Sequence, residues 1–135
     1  MDTPIYPRLL VPPKSSFFLF GPRGCGKSTW IKETFRAARQ ISLLDESIYQ
    51  TYLANPSQFY ETARRTKPGA WLVVDEVQRL PQLLNEVHRL IADQKIKFAL
   101  TGSSARKLRR TGVNLLAGRA VRRNMYAGLM MILKS

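Results

Sequence analysis

Gly21-Pro22-Arg23-Gly24-Cys25-Gly26-Lys27-Ser28 fits the spacing G-x-x-x-x-G-K-[ST] at every fixed position. Each of those positions has a chemical reason if the ligand is a phosphate chain. Such a ligand is large and multiply anionic, so it needs many donors converging with few side chains in the way. Gly21, Gly24 and Gly26 free the backbone to aim successive N–H groups inward. A helix beginning at Lys27 would add its unpaired N–H groups and the positive end of its dipole. Lys27 is then placed to reach the β- and γ-phosphate oxygens, Ser28 to ligate Mg²⁺ through its hydroxyl, and Thr29 to touch the α-phosphate. At average glycine usage a chance match in a chain of this length is on the order of 1%, so the bland reading, a glycine turn beside an exposed lysine, is set aside. Cys25 reads as a small space-filler in this loop, although a thiol next to Lys27 at a helix start could also gain thiolate character.

A phosphate cradle binds but does not cut. Cutting the β–γ bond needs a metal held in place and a water aimed at the γ-phosphorus. "WLVVDE" (71–76) offers both groups. Asp75, ending an apolar run, is placed to hold Mg²⁺ through its water shell, and Glu76 to orient and polarise the water. Adjacent Asp and Glu suit a hydrolytic ATPase better than a small GTPase, and the chain has no N-K-x-D guanine reader. ATP is therefore the expected nucleotide. "FALTGSS" (98–104) puts Thr101, Ser103 and Ser104 at a strand end, where a hydroxyl could sense the γ-phosphate or align the water with Glu76. Arg119 could project into a neighbouring subunit's site and stabilise transition-state charge; the alternative is a surface arginine. His88, at the edge of an apolar helical stripe and without a partner at metal spacing, reads as a packing residue.

These groups need elements to hold them. Residues 1–14 read as an irregular lead-in, since Pro4, Pro7, Pro12 and Pro13 interrupt helix and ladder bonding. "SSFFLF" (15–20) reads as a buried strand feeding the glycine loop. Trp30, Ile31, Thr34, Phe35 and Ala38 recur at helical spacing and predict a helix from Lys27 to Arg39. "ISLLD" (41–45) predicts a second strand, and Tyr49, Tyr52, Leu53, Phe59 and Tyr60 predict short helices, the second starting at "NPS" (55–57). The uninterrupted run Trp71–Val74 marks an interior parallel strand. After it comes a helix opened by Pro81 with Leu80, Leu83, Leu84, Val87, Leu90 and Ile91 on one stripe. "IKFALTGSS" (96–104) predicts another strand, followed by a helix over 105–110 and a further helix or helix end at "NLLAGRA" (114–120). Alternating strands and helices imply right-handed βαβ crossovers. The expected architecture is an α/β, three-layer α/β/α sandwich with a mainly parallel sheet.

Net charge is +13, and it is unevenly spread. Through Asp93 the chain has 12 basic and 9 acidic residues; beyond it there are 10 basic residues and no acid. Such a third attracts nucleic acid, a phosphate-rich ligand or an acidic protein. No run approaches the roughly 18 apolar residues of a membrane span. The start lacks the layout of a secretory signal, and a single cysteine excludes an internal disulfide. A cytoplasmic location is expected.

Taken together, "RLLVPPKSSFFLFGPRGCGKSTW", "WLVVDEVQRLPQLLNEVHRLI", "FALTGSSARKLRR" and "NLLAGRA" resemble a prokaryotic family of AAA-type P-loop ATPases, over roughly Arg8 to Arg123. In that family Gly21–Ser28 corresponds to the Walker A motif, Val73–Glu76 falls in Walker B, Gln78 lies in a "DEVQ" signature and Thr101–Ser104 matches the sensor segment. The resemblance implies a P-loop NTPase sheet of the additional-strand type, with the "FALTGSS" strand between the Walker A and Walker B strands. It also implies that ATP binding or hydrolysis serves a partner or a nucleic-acid transaction. Cys25 stands where members often have threonine or another small residue, a change the loop should tolerate. Members usually continue past "GRA-x-RR" into a proline-containing strand, an acidic helix and a further domain, whereas here "NMYAGLMMILKS" follows. The expectation is a P-loop ATPase domain over 15–124 and an atypical tail over 125–135 from a truncated or frame-shifted product, with marginal solubility and poor turnover. The leading reading is thus Mg²⁺-dependent ATP hydrolysis, with a homo-oligomer possible. Its rival is a non-catalytic nucleotide-binding module whose basic C-terminal third docks nucleic acid or an acidic partner. A kinase acting on a small acceptor is a weaker third, since adjacent acids suit water activation.

Overall fold

The structure, a computed structural model, describes residues 12–22, 24–109, 120–126 and 129–132. Six strands form one sheet: β1 (Phe17–Phe20), β2 (Arg39–Ser42), β3 (Trp71–Asp75), β4 (Lys97–Gly102), β5 (Val121–Tyr126) and β6 (Leu129–Ile132). Their order across the sheet is β2-β3-β4-β1-β5-β6. All neighbours pair parallel except β5 and β6, which are antiparallel. β4 thus lies between β1 and β3, as the resemblance implied. The stretch beyond 124, expected to be an atypical tail, supplies the end of β5 and all of β6. The lead-in over 1–11 and most of "NLLAGRA" lie outside the described residues.

Period-two alternation divides the buried strand residues between two faces. Phe18, Phe20, Leu72, Val74, Phe98 and Leu100 face one core. It is covered by α2 (Glu46–Ala54), α3 (Pro56–Ala63), α4 (Leu83–Gln94) and α5 (Ala105–Arg109), through residues such as Tyr52, Phe59, Leu84, Val87, Leu90 and Leu108. Phe17, Leu19, Val73 and Ala99 face the other, where α1 (Lys27–Thr34) contributes Ile31, and Phe35 and Cys25 pack beside it. This second core is held by aromatic rings: Phe17 meets Trp71 edge-on at 5.7 Å between centroids, and Phe35 lies 4.8 Å from Trp71. Helices on both faces make the three-layer α/β/α sandwich of a P-loop fold. Truncating a ring such as Phe17 to alanine would cost about 3–5 kcal/mol.

Three local expectations shift. The first helix stops at Thr34, not Arg39, because Phe35 leaves helical geometry (φ −116°, ψ 47°) to bury its ring. Ala38 keeps its helix-like position through a tight turn, its N–H donating to the Phe35 carbonyl at 3.0 Å. β2 therefore starts at Arg39, opposite Leu72. Asp45 does not end a strand; it caps α2, accepting from the N–H groups of Ser47 at 3.0 Å and Ile48 at 3.3 Å. Finally, Pro81 sits in a turn after a short 3₁₀ segment (Val77–Arg79), and α4 begins at Leu83.

Candidate functional site

The glycine loop runs from the end of β1 into α1 at the carboxyl edge of the parallel strands, where ligands of open α/β sheets gather. Its anchor is the N–H of Gly21, which donates to the Gly102 carbonyl of neighbouring β4 at 3.2 Å. Gly24 (φ 81°) and Gly26 (φ 96°) adopt left-handed geometry, which glycine alone takes up without strain. Gly26 occupies the cap position of α1 with no side-chain cap, so the first N–H groups of the helix are left for an outside acceptor. The Cys25 thiol points away from this opening into the aromatic core, the space-filling role expected of it. Arg23 lies outside the described residues, as does Arg119.

Lys27 is 4% exposed, unusual for a lysine. Its ammonium donates to the Gly21 carbonyl at 3.0 Å and stands 3.7 Å from Glu76 Oε2. A charge so buried must be matched, and here the chain's own acceptors match it. Beside it lies an open cavity of about 380 Å³, lined by Gly24, Gly26, Lys27, Ser28, Thr29, Leu44 and Glu76. Pro22 and Ser103 line adjoining depressions, and Ser103 does not reach the Lys27 cavity.

Glu76 comes to this place through an unusual backbone. It sits at φ 59°, ψ 49°, left-handed geometry that costs a side-chain-bearing residue roughly 1–2 kcal/mol. The bend turns the chain from β3 into the 3₁₀ segment and swings the carboxylate toward Lys27. Thr101 holds it: its fully buried hydroxyl accepts the Glu76 N–H at 2.9 Å and donates to Asp75 Oδ1. The parallel register explains the meeting, since Thr101 lies one residue beyond the Val74–Leu100 pair. Gln78 Nε2 donates to Glu76 Oε1. Arg79 fastens the flank, donating to the Leu43 carbonyl at 2.8 Å with its guanidinium 4.4 Å from the Tyr49 ring centre.

Lys27, Glu76, Ser28 and Thr29 therefore share one cavity, with Asp75 and Thr101 bonded to each other behind Glu76. Leu44 was not singled out from sequence. It follows β2 in an ordinary apolar stretch, and only the turn into α2 carries it to the cavity mouth.

Residues 13–129 match a family model described as an AAA domain. The chain belongs to that family. The match runs through the glycine loop, Asp75-Glu76, Thr101 and β5. No curated protein matches the chain. As an AAA domain the chain falls among nucleotide-binding folds. Among its described residues, no helix is long and apolar enough to cross a membrane.

Proposed function

We propose that this AAA domain binds ATP with Mg²⁺ and hydrolyses the β–γ bond. The observation that carries the reading is the buried Lys27 ammonium, held by Gly21 and Glu76 beside a cavity rimmed by free helix N–H groups. A triphosphate entering there would take over the lysine, offering several anionic oxygens where the protein now supplies one carbonyl and one carboxylate. Gly21, Pro22, Gly24, Cys25, Gly26 and Thr29 contribute backbone to the phosphate cradle.

The donor set suits Mg²⁺. Among the described residues no cluster of three or more His, Cys, Asp or Glu could hold a metal unaided. A hydroxyl (Ser28) and a carboxylate (Asp75) are hard oxygen donors of the kind that hold Mg²⁺ jointly with phosphate oxygens and water. Thr101 takes Asp75 Oδ1 and leaves Oδ2 for that water shell. Once bound, the metal would neutralise charge developing on the β- and γ-oxygens. Glu76, released from Lys27 by the incoming phosphate, receives the proton of a water attacking the γ-phosphorus, and ADP leaves. Thr101 maintains the Asp75–Glu76 corner while this happens.

Two variants test the division of labour. Lys27→Ala is expected to abolish binding of a fluorescent ATP analogue. Glu76→Gln is expected to keep binding and lose turnover by about 10²–10⁴-fold, the usual worth of a positioned general base. Parental turnover in Glu76→Gln would defeat the assignment.

A further inference from the structure

The carboxylate of Glu76 has two oxygens in different surroundings. Oε1 accepts from the Gln78 side-chain amide, while Oε2 faces Lys27 and the phosphate cavity. The other end of the same amide, Gln78 Oε1, is buried and has no hydrogen-bond partner among the described residues. Turning the amide over would not help, because it would set a carbonyl oxygen against a carboxylate oxygen. The amide nitrogen must face Glu76, and the orphaned oxygen must then lie against β4. Native proteins seldom leave a buried acceptor unmatched, so such a group calls for a reason.

Gly102 supplies the space. A Cβ built there would lie 3.1 Å from Gln78 Oε1 and 3.3 Å from the Phe20 ring. Gly102 is not among the residues with positive φ, so its backbone does not itself demand glycine. What a larger residue would disturb is the seat of Gln78. Two elements thus meet at one amide, β4 through Gly102 and the bend after β3 through Glu76, and the Phe20 ring of β1 borders the same space at Gly102.

We infer that Gln78 is a positioning residue for hydrolysis, engaging Glu76 Oε1 so that Oε2 is the oxygen presented to the attacking water, with Gly102 kept bare to admit it. This deepens the ATPase reading and rests on it. Gln78 lines not the Lys27 cavity but the depression beside it, which shares Glu76 and Leu44, and on this reading it does not touch the nucleotide.

The test combines steady-state kinetics with a thermodynamic cycle on the full chain. Gln78→Met keeps the volume and removes the donor. It should lower kcat roughly 10- to 100-fold, the scale of a misplaced catalytic group, with KM and ATP-analogue affinity moved by no more than about twofold. Gly102→Ala, which leaves the amide intact but crowds it, should show the same pattern more weakly, and serves if Gln78→Met does not fold. Parental kcat in either folded variant overturns the inference. The second arm needs no turnover. Gln78→Met in a Glu76→Ala background removes an amide with no partner at either end and should raise Tm by a few degrees. In the parent the same change also strips a donor from a buried carboxylate, so its Tm shift should be distinctly less favourable. Equal shifts in both backgrounds would show that 76 and 78 are uncoupled and end the proposal. If the parent binds no ATP or does not cleave it, the ATPase reading falls and the cycle alone decides whether Gln78 restrains Glu76.

Discussion

The glycine loop and the acidic corner both place charged groups at the same cavity, yet they are built in opposite ways. In the loop, left-handed backbone falls on Gly24 and Gly26, where it costs little, and the geometry is written locally. In the corner, left-handed backbone falls on Glu76, where it is strained, and a threonine 25 residues away holds it. A local device should tolerate distant change and fail on its own residues. A tertiary device should fail when its remote support is cut.

Thr101→Val offers the largest test of that contrast. It is nearly isosteric but leaves the Glu76 N–H unpaired and removes a donor from Asp75. A loss of about 2–3 kcal/mol in denaturant unfolding is expected, together with reduced turnover. A neutral Thr101→Val would mean that the corner is not held from β4. Gly26→Ala should cost about 1–2 kcal/mol for a Cβ in left-handed geometry and weaken ATP-analogue binding, because the loop's bond to β4 is made at Gly21 and does not hold Gly26 in that conformation. Smaller still is a comparison at one position: Glu76→Gly should be more stable than Glu76→Ala by about 1 kcal/mol, the glycine relieving strain that alanine keeps. Equal stabilities there would remove the strain from the account.

The smallest effect belongs to Asp45, whose cap on α2 is as local as the glycine loop. The Ser47 hydroxyl above all, then the Ile48 N–H, hold its carboxyl below the ordinary value. A depressed folded-state pKa contributes stability that is present above the unfolded value and lost as pH falls through the folded one. Asp45→Asn should therefore flatten the acid side of the stability curve slightly, by removing at neutral pH the small contribution that the parent loses in acid, as pH-dependent melts would record.

Much of the site was readable because its chemistry is contiguous. The motif from Gly21 to Ser28, the apolar run ending in Asp75-Glu76 and the hydroxyls after Leu100 each sit in one short window, and the strands that carry them are uninterrupted apolar runs. What was not readable depends on register and on turns. Helical spacing alone ran α1 on to Arg39, because a tight turn at Phe35–Ala38 presents the same residues to the same core. Gln78 belongs to a signature without an evident task until Gly102, 24 positions on, is seen to make room for its amide.

By itself, then, the order of residues determined an α/β sheet, a glycine-rich loop and two acids at a strand end, since glycine freedom and apolar periodicity act over a few neighbours. Only the tertiary structure decided that Thr101 bonds Asp75, that Glu76 bends back to meet Lys27, and that Leu44 lines the cavity. Those contacts join distant parts of the chain, and no local preference selects them until the parallel strands have set their register.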